Sequence, residues 1–297
     1  MTEKFIPSLL VPEIYHPYKK EKDFTANLLE KIVEKDFYRS IELGDGFDKS
    51  ERKRILKVSE ENNLDVTQWL TFFIEENNLD IASLDSKKRL DAVRKIKDNL
   101  YFAAEIGASN VAMVTSENPG EELWNEYVEV LYESLCDICE EAKVYNMKVL
   151  IEPLDRFAHK KRIIGTTDET VDLLSRVKEE HNNIGIAFDT AHAALNNEDI
   201  SEAFAKGQSL IEQIHFSNAV LDKSSDLYGD FHMDIGKPGF LTTEKIASLL
   251  HKAEELKIQS ENGLRVAVEV RGQGNNCDKN EEKVRSILKE AMNLATV

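Results

Sequence analysis

Four ionisable residues end short apolar runs in the second half of the chain: Val149-Leu150-Ile151-Glu152-Pro153, Ile186-Ala187-Phe188-Asp189, Ile214-His215-Phe216 and Val266-Ala267-Val268-Glu269. Runs this rich in β-branched and aromatic residues read as buried strands. Their ionisable residues are separated by 37, 26 and 54 positions, each compatible with one strand–helix–strand step. An ionised carboxylate taken out of water costs several kcal/mol unless it is paired or bound to a metal. Taken singly, each acid could cap the next helix or meet a surface lysine. Three acids and an imidazole in register at one rim call for a shared cation. The oxygen-rich donor set is hard in character and favours Mn2+ first, then Mg2+ or Co2+, with Zn2+ admissible.

Such convergence requires a scaffold whose strand ends open on one face. Strand-like runs recur at Tyr38 to Leu43, Asp65 to Phe72, Asn110 to Thr115, Lys148 to Glu152, Ile184 to Asp189, Gln213 to Phe216 and Arg265 to Val270, with a weaker run at Phe5 to Leu10. Between them lie amphipathic segments with helix starts: Ser86 before Leu90, Val93, Ile96 and Leu100; Thr242 before Ile246, Leu249 and Leu250; Thr167 followed by Asp168 and Glu169. Strands separated by helices run parallel through right-handed crossovers. The expected fold is therefore α/β, a single (β/α)8 TIM barrel spanning residues 1–297. The alternative, an open doubly wound sheet, lacks its glycine-rich turn after an early strand.

Composition narrows the function classes. The chain has 297 residues, 41% hydrophobic and 31% charged, with 55 acidic against 38 basic side chains, a formal charge of -17 and mean hydropathy -0.41. That charge repels phosphate backbones, and no basic run offsets it, so no nucleic-acid partner is expected. No apolar stretch reaches the roughly 18 residues of a membrane span, and a membrane partner is not expected either. The short run from Phe5 to Val11 is broken by Pro7 and does not read as a signal peptide. Cys136, Cys139 and Cys277 make no disulfide framework, which points to a reducing, cytoplasmic setting. The Cys136/Cys139 pair reads as small apolar residues on one helix face. Self-association is left open.

Several motifs together resemble the xylose isomerase-like TIM barrels, a family of sugar and sugar-phosphate isomerases and epimerases that also includes endonuclease IV. They are Ile151-Glu152-Pro153-Leu154, Phe188-Asp189-Thr190-Ala191-His192, Ile214-His215-Phe216-Ser217, Asp230-Phe231-His232 with Gly236-Lys237-Pro238-Gly239, and Val268-Glu269-Val270. The resemblance in motifs covers about the last half of the chain. It implies that Glu152, Asp189, His215 and Glu269 ligate one divalent metal ion, and that His192 contacts substrate. It also implies, from members such as D-tagatose 3-epimerase and hydroxypyruvate isomerase, that the two glutamates serve as acid and base. The segment after His215 departs from those members: Asn218 stands where a basic group is usual, and Arg265 is the only arginine between His215 and Glu269.

The chemistry follows on physical grounds. A hydroxyl and an adjacent carbonyl held by a divalent ion have the proton between them acidified, because the ion stabilises the developing enediolate. Glu152 and Glu269 on opposite sides of that plane would remove and return a proton, giving epimerisation or aldose–ketose exchange on a small sugar or sugar phosphate. A metal-dependent lyase acting on a polyol or keto-sugar uses the same enolisation, and a noncatalytic sugar-binding barrel is a further reading. An AP endonuclease of the endonuclease IV kind shares Asp230-x-His232, but its three-metal cluster needs histidines on strands three and four, where this chain has Val66 to Thr71 and Met113 to Ser116. His232 reads equally as a substrate or second-metal contact and as a hydrogen-bonded loop residue. Arg156, His159, Lys160, Lys161 and Arg162 form a local basic cluster that could meet a phosphate or stand in solvent. Trp69 could stack on a sugar or fill the core.

Overall fold

The computed structural model describes residues 4–258, 260 and 263–295; the rest of the expected 1–297 unit lies outside the described residues. In chain order the strands are β1 (Phe5–Leu10), β2 (Ser40–Leu43), β3 (Asp65–Trp69), β4 (Asn110–Val114), β5 (Lys148–Glu152), β6 (Ile184–Asp189), β7 (Ile211–Val220), β8 (Gly229–Met233) and β9 (Leu264–Glu269). From β1 to β7 each strand pairs in parallel with the next; β7 then pairs with β9, and β9 with β1, which closes an eight-stranded barrel. Helices fill the connections, as the expected (β/α)8 architecture requires.

Strand alternation sorts the side chains into two layers. Val111, Met113, Val149, Ile151, Ile186, Phe188, Ile214, Phe216, Val266 and Val268 join the large core between barrel and helices. Each such burial contributes roughly 1.5–3 kcal/mol. The alternate residues Leu10, Trp69, Ala112, Leu150 and Ala187 form a separate small cluster inside the barrel. Glu152 and Asp189 share their parity with Leu150 and Ala187, so the same pattern that buries Ile151 and Phe188 outward turns these carboxylates inward.

The helix starts carry their own reasons. Thr242 caps Thr243–Glu255 through the Lys245 amide, and Thr166 forms a capping box with Glu169 at the head of Thr167–Glu180. For Ser86–Glu105 the cap is Asp85, one residue before the expected start, because its carboxylate accepts the Lys87 and Lys88 amides. Cys136 and Cys139 lie in the helix Trp124–Val144, and burial pushes the Cys139 thiol up to about 12, in keeping with an inert packing role.

Two elements differ from expectation. The strand expected at Asp65 to Phe72 ends at Trp69, and the helix Thr71–Glu76 begins at once. The strand expected at Gln213 to Phe216 runs from Ile211 to Val220, because β8 pairs antiparallel with its far end through Ala219↔Asp230 and Val220↔Gly229. That hairpin satisfies backbone groups projecting past the barrel rim, and Asn218 fastens it by donating to the Asp234 and Gly236 carbonyls and accepting from the Leu241 amide.

Candidate active site

Glu152, Asp189 and Glu269 stand at the last residues of β5, β6 and β9, and His215 lies level with Asp189 across the β6–β7 pairing. All four are buried, and one ligand atom from each lies within 4.8 Å of the others. The His215 Nδ1 atom is 3.1 Å from Glu269 Oε2 and 3.7 Å from Glu152 Oε1, aligned as a hydrogen bond with neither. Asp189 uses one oxygen to accept the Ala191 and His192 amides at the head of Thr190–Leu195. Asp189 thus caps the next helix and also contributes an oxygen to the cluster.

The like charges disturb one another. Burial, reinforced by Glu269, raises the Glu152 carboxyl; burial with Glu269, Glu152 and Asp230 raises Asp189 well above the carboxylate range. Burial acts in the same direction on Glu269, yet His232 and His215 hold it well below its ordinary value. Carboxylates crowded this closely around an imidazole nitrogen without a hydrogen bond form an oxygen and nitrogen donor set suited to a divalent cation. The residues present fit such an ion.

Below the cluster lies a residue that the sequence reasoning did not single out. Glu42 of β2 is fully buried, and its Oε2 accepts from Trp69 Nε1 at 2.7 Å and Gln213 Nε2 at 2.6 Å and faces His215 Nε2 at 2.8 Å. Burial would raise its carboxyl, but His215 and the indole keep it lowered. Only polar inward parity on β2, Ser40 and Glu42 beside outward Ile41 and Leu43, could have drawn attention to it.

His192 and His232 both line the pocket over the cluster. His192 Nδ1 lies 3.2 Å from Asp155, and its Nε2 is 3.6 Å from Asp230; despite burial these acids raise it to about 10. His232 has a left-handed backbone, φ 49°, with its amide held by Asp230 and its Nδ1 2.8 Å from Glu269 Oε1; against burial, Glu269 and Asp230 raise it to about 9. Glu269 thus sits between two imidazoles. Glu13 joins this second group and is gripped by Arg271 through two hydrogen bonds of 2.7 and 2.9 Å. Glu13, Asp155 and Arg271 carried no motif and were missed; sequence offers no signal for them, since each partner is remote in the chain.

The pocket encloses about 560 Å³ of empty space, its open mouth included. Leu10, Trp69, Phe72, Val114 and Leu154 make one apolar wall. Trp69 is buried and lines the pocket, its ring 5.1 Å from that of His215 and its N–H spent on Glu42. The basic cluster is divided, with His159 and Lys161 exposed and Lys160 lining the pocket. Arg156 pairs with Glu169 and stacks on Trp124, Arg162 pairs with Glu75 at 2.7 Å, and Lys160 faces Asp230 at 3.8 Å. Arg265 points into the barrel, 2.9 Å from Asp65.

A closed parallel barrel that gathers three carboxylates and an imidazole at the C-terminal mouth of adjacent strands is the architecture of the xylose isomerase-like proteins. The chain belongs to that family, whose model, the xylose isomerase-like TIM barrel, matches residues 31–258. No curated protein matches it by sequence. Among solved structures it is similar to a D-tagatose 3-epimerase-like protein, at 21% identity and TM-score 0.73 over 99% of this chain and 98% of the other. It is also similar to a D-psicose 3-epimerase solved in the presence of D-fructose (15%, TM-score 0.71, 99% of each chain). A third, the IOLI protein with a binding zinc atom, aligns at 14% identity and TM-score 0.70 over 99% of this chain and 98% of that one. These likenesses establish the shared fold. Among the described residues no helix is long and apolar enough to cross a membrane.

Proposed function

We propose that the protein is a divalent-metal-dependent isomerase or epimerase of a small sugar. The observation that carries this reading is the convergence of Glu152, Asp189, His215 and Glu269 within 4.8 Å at the floor of a pocket with one apolar wall. These four residues would hold the ion, with Mn2+ the best match to the hard donor set. When bound, the ion polarises the substrate carbonyl and neighbouring hydroxyl and so acidifies the proton between them.

The chain's own residues do the rest. Glu152 and Glu269 both approach His215 Nδ1, at 3.7 and 3.1 Å, so a substrate carbon above the ring would have two carboxylates within reach. One glutamate takes the α-proton onto a carboxylate oxygen, and the other returns a proton to the opposite face or the adjacent carbon; no net proton is gained or lost. His192 and His232 donate to substrate hydroxyls, Leu10, Trp69 and Phe72 exclude water, and Asp155 and Asp230 fix the His192 ring. The pairing of Arg156 and Arg162 with acids supports an unphosphorylated substrate over a sugar phosphate. Similarity to sugar epimerases supports the reaction class, and the charge of -17 speaks against a nucleic-acid substrate. Three free cysteines accord with a reducing, cytoplasmic compartment.

The test is exchange of substrate α-hydrogen with solvent deuterium on a panel of ketoses and aldoses with Mn2+ supplied. Glu152→Gln and Glu269→Gln should each lower exchange by about 10²–10⁴-fold. Exchange at the unmodified rate in either variant would remove that glutamate from the mechanism.

A further inference from the structure

The proposed cation site needs His215 to present Nδ1 upward with its lone pair free, and nothing in the rim itself enforces that. The enforcing contact comes from the opposite side of the barrel. Glu42 lies 173 positions from His215, on a strand that does not pair with β7, and reaches across the interior so that its Oε2 meets the ring's Nε2 at 2.8 Å. The same oxygen also takes the Trp69 indole N–H and a Gln213 amide N–H. With the Trp69 and Gln213 donors already on that oxygen, the charge of a carboxylate lets it accept a third hydrogen bond from the Nε2–H of His215 more strongly than a neutral amide oxygen would.

Glu42 is itself held from below. Gln213 is oriented by its Oε1, which accepts from Arg265 Nε at 3.2 Å, and Arg265 is braced at 2.9 Å by Asp65. A line of polar groups thus runs from the half-buried Asp65 on β3 through the buried Arg265 on β9 and Gln213 on β7 to Glu42 on β2. Each charge in the line has an opposite charge or a donor beside it, although Glu42 Oε1 and one Arg265 nitrogen are left without a hydrogen bond.

Resting on the metal-dependent reading above, we infer that Glu42 is a positioning residue: its carboxylate anchors His215 through Nε2–H and thereby dedicates Nδ1 to the cation. It touches neither ion nor substrate. A carboxylate behind a ligating imidazole both fixes the ring and raises its basicity, and loss of such a partner typically weakens metal binding by about 10–100-fold.

The test compares Mn2+ affinity, by chelator competition, in the unmodified protein, Glu42→Gln and Ile96→Ala, and follows the His215 Nε2–H proton by NMR in the zinc-loaded forms. Ile96 lies on a distant helix and controls for general destabilisation. Glu42→Gln should bind Mn2+ about 10–100-fold more weakly and shift the Nε2–H resonance, while Ile96→Ala changes neither. Should Glu42→Gln prove too poorly folded, Glu42→Asp, which keeps the charge but shortens the reach, should show an intermediate loss and the same direction of resonance shift. Affinity within about threefold of the unmodified protein, with the resonance unmoved, would overturn the role of Glu42 alone. Failure of the unmodified protein to bind Mn2+ or Zn2+ overturns the metal-centred function along with it.

Discussion

The strands on one side of the mouth, β5, β7 and β9, present Glu152, His215 and Glu269 to the pocket with Asp189 of β6 clustered beside them, whereas β1, β3 and β4 present Leu10, Trp69 and Val114. Both arcs belong to one hydrogen-bonded ring and obey the same inward–outward alternation. They differ in what the inward positions hold. On the charged arc burial is unfavourable for each carboxylate alone, and the neighbouring imidazoles offset part of that cost. On the apolar arc burial is favourable by itself. Chemistry and enclosure are therefore supplied by separate arcs, with Glu42 as the charged member contributed from the apolar side beneath the floor.

The division can be broken from either side. The largest effect should come from the packing of the apolar half: Ile96→Ala, on the fully buried face of Ser86–Glu105, should lower unfolding free energy by about 2–5 kcal/mol in denaturant titration. Its Mn2+ affinity should stay unchanged; a parallel loss of affinity would show that the arcs are not separable. Next comes Asp189→Asn, which keeps the oxygen that caps Thr190–Leu195 but removes a charge. Because burial and neighbouring acids raise Asp189 in the absence of an ion, the ionised form is disfavoured in the folded state, and its removal should stabilise metal-stripped protein at neutral pH. The same variant should bind Mn2+ at least about tenfold more weakly. A lower melting temperature for the stripped variant contradicts the crowding argument.

The smallest effect concerns the loop over the charged arc. Burial would raise the Asp155 carboxyl, but His192 and the His159 and Lys160 amides hold it below its ordinary 3.8. A depressed carboxylate contributes stability that is present above its unfolded value and lost as pH falls toward the folded one. The stability difference between the unmodified protein and Asp155→Asn should therefore be greatest near neutrality and narrow below about pH 4. Thermal melts of both across that range check the sign; a gap that widens on acidification rejects it.

How legible each part was follows from whether its cause is local. The runs Lys148 to Glu152 and Ile184 to Asp189 match β5 and β6, since short β-branched segments between helices declare themselves. β8 escaped because Gly229–Met233 is a strand only by virtue of an overlong β7 to pair with. Asp189 was legible as a strand-end residue and His192 through the motif resemblance, but that His192 bridges Asp155 and Asp230 was not, as those partners come from the segment after β5 and from β8. The pairing within the basic cluster was illegible for the same reason: local sequence shows five basic or imidazole side chains, and only the fold shows the acids that absorb Arg156 and Arg162.

The sequence by itself determined the strand–helix alternation, the inward parity of its ionisable strand ends and the hard character of the donors, because alternation and helical spacing are written within a few residues. Only tertiary structure decided that Glu42 stands behind His215, that Arg271 grips Glu13 and that an apolar arc closes the pocket. Those contacts join groups up to some 258 residues apart, and barrel closure, which no local pattern encodes, is what brings them within hydrogen-bonding distance.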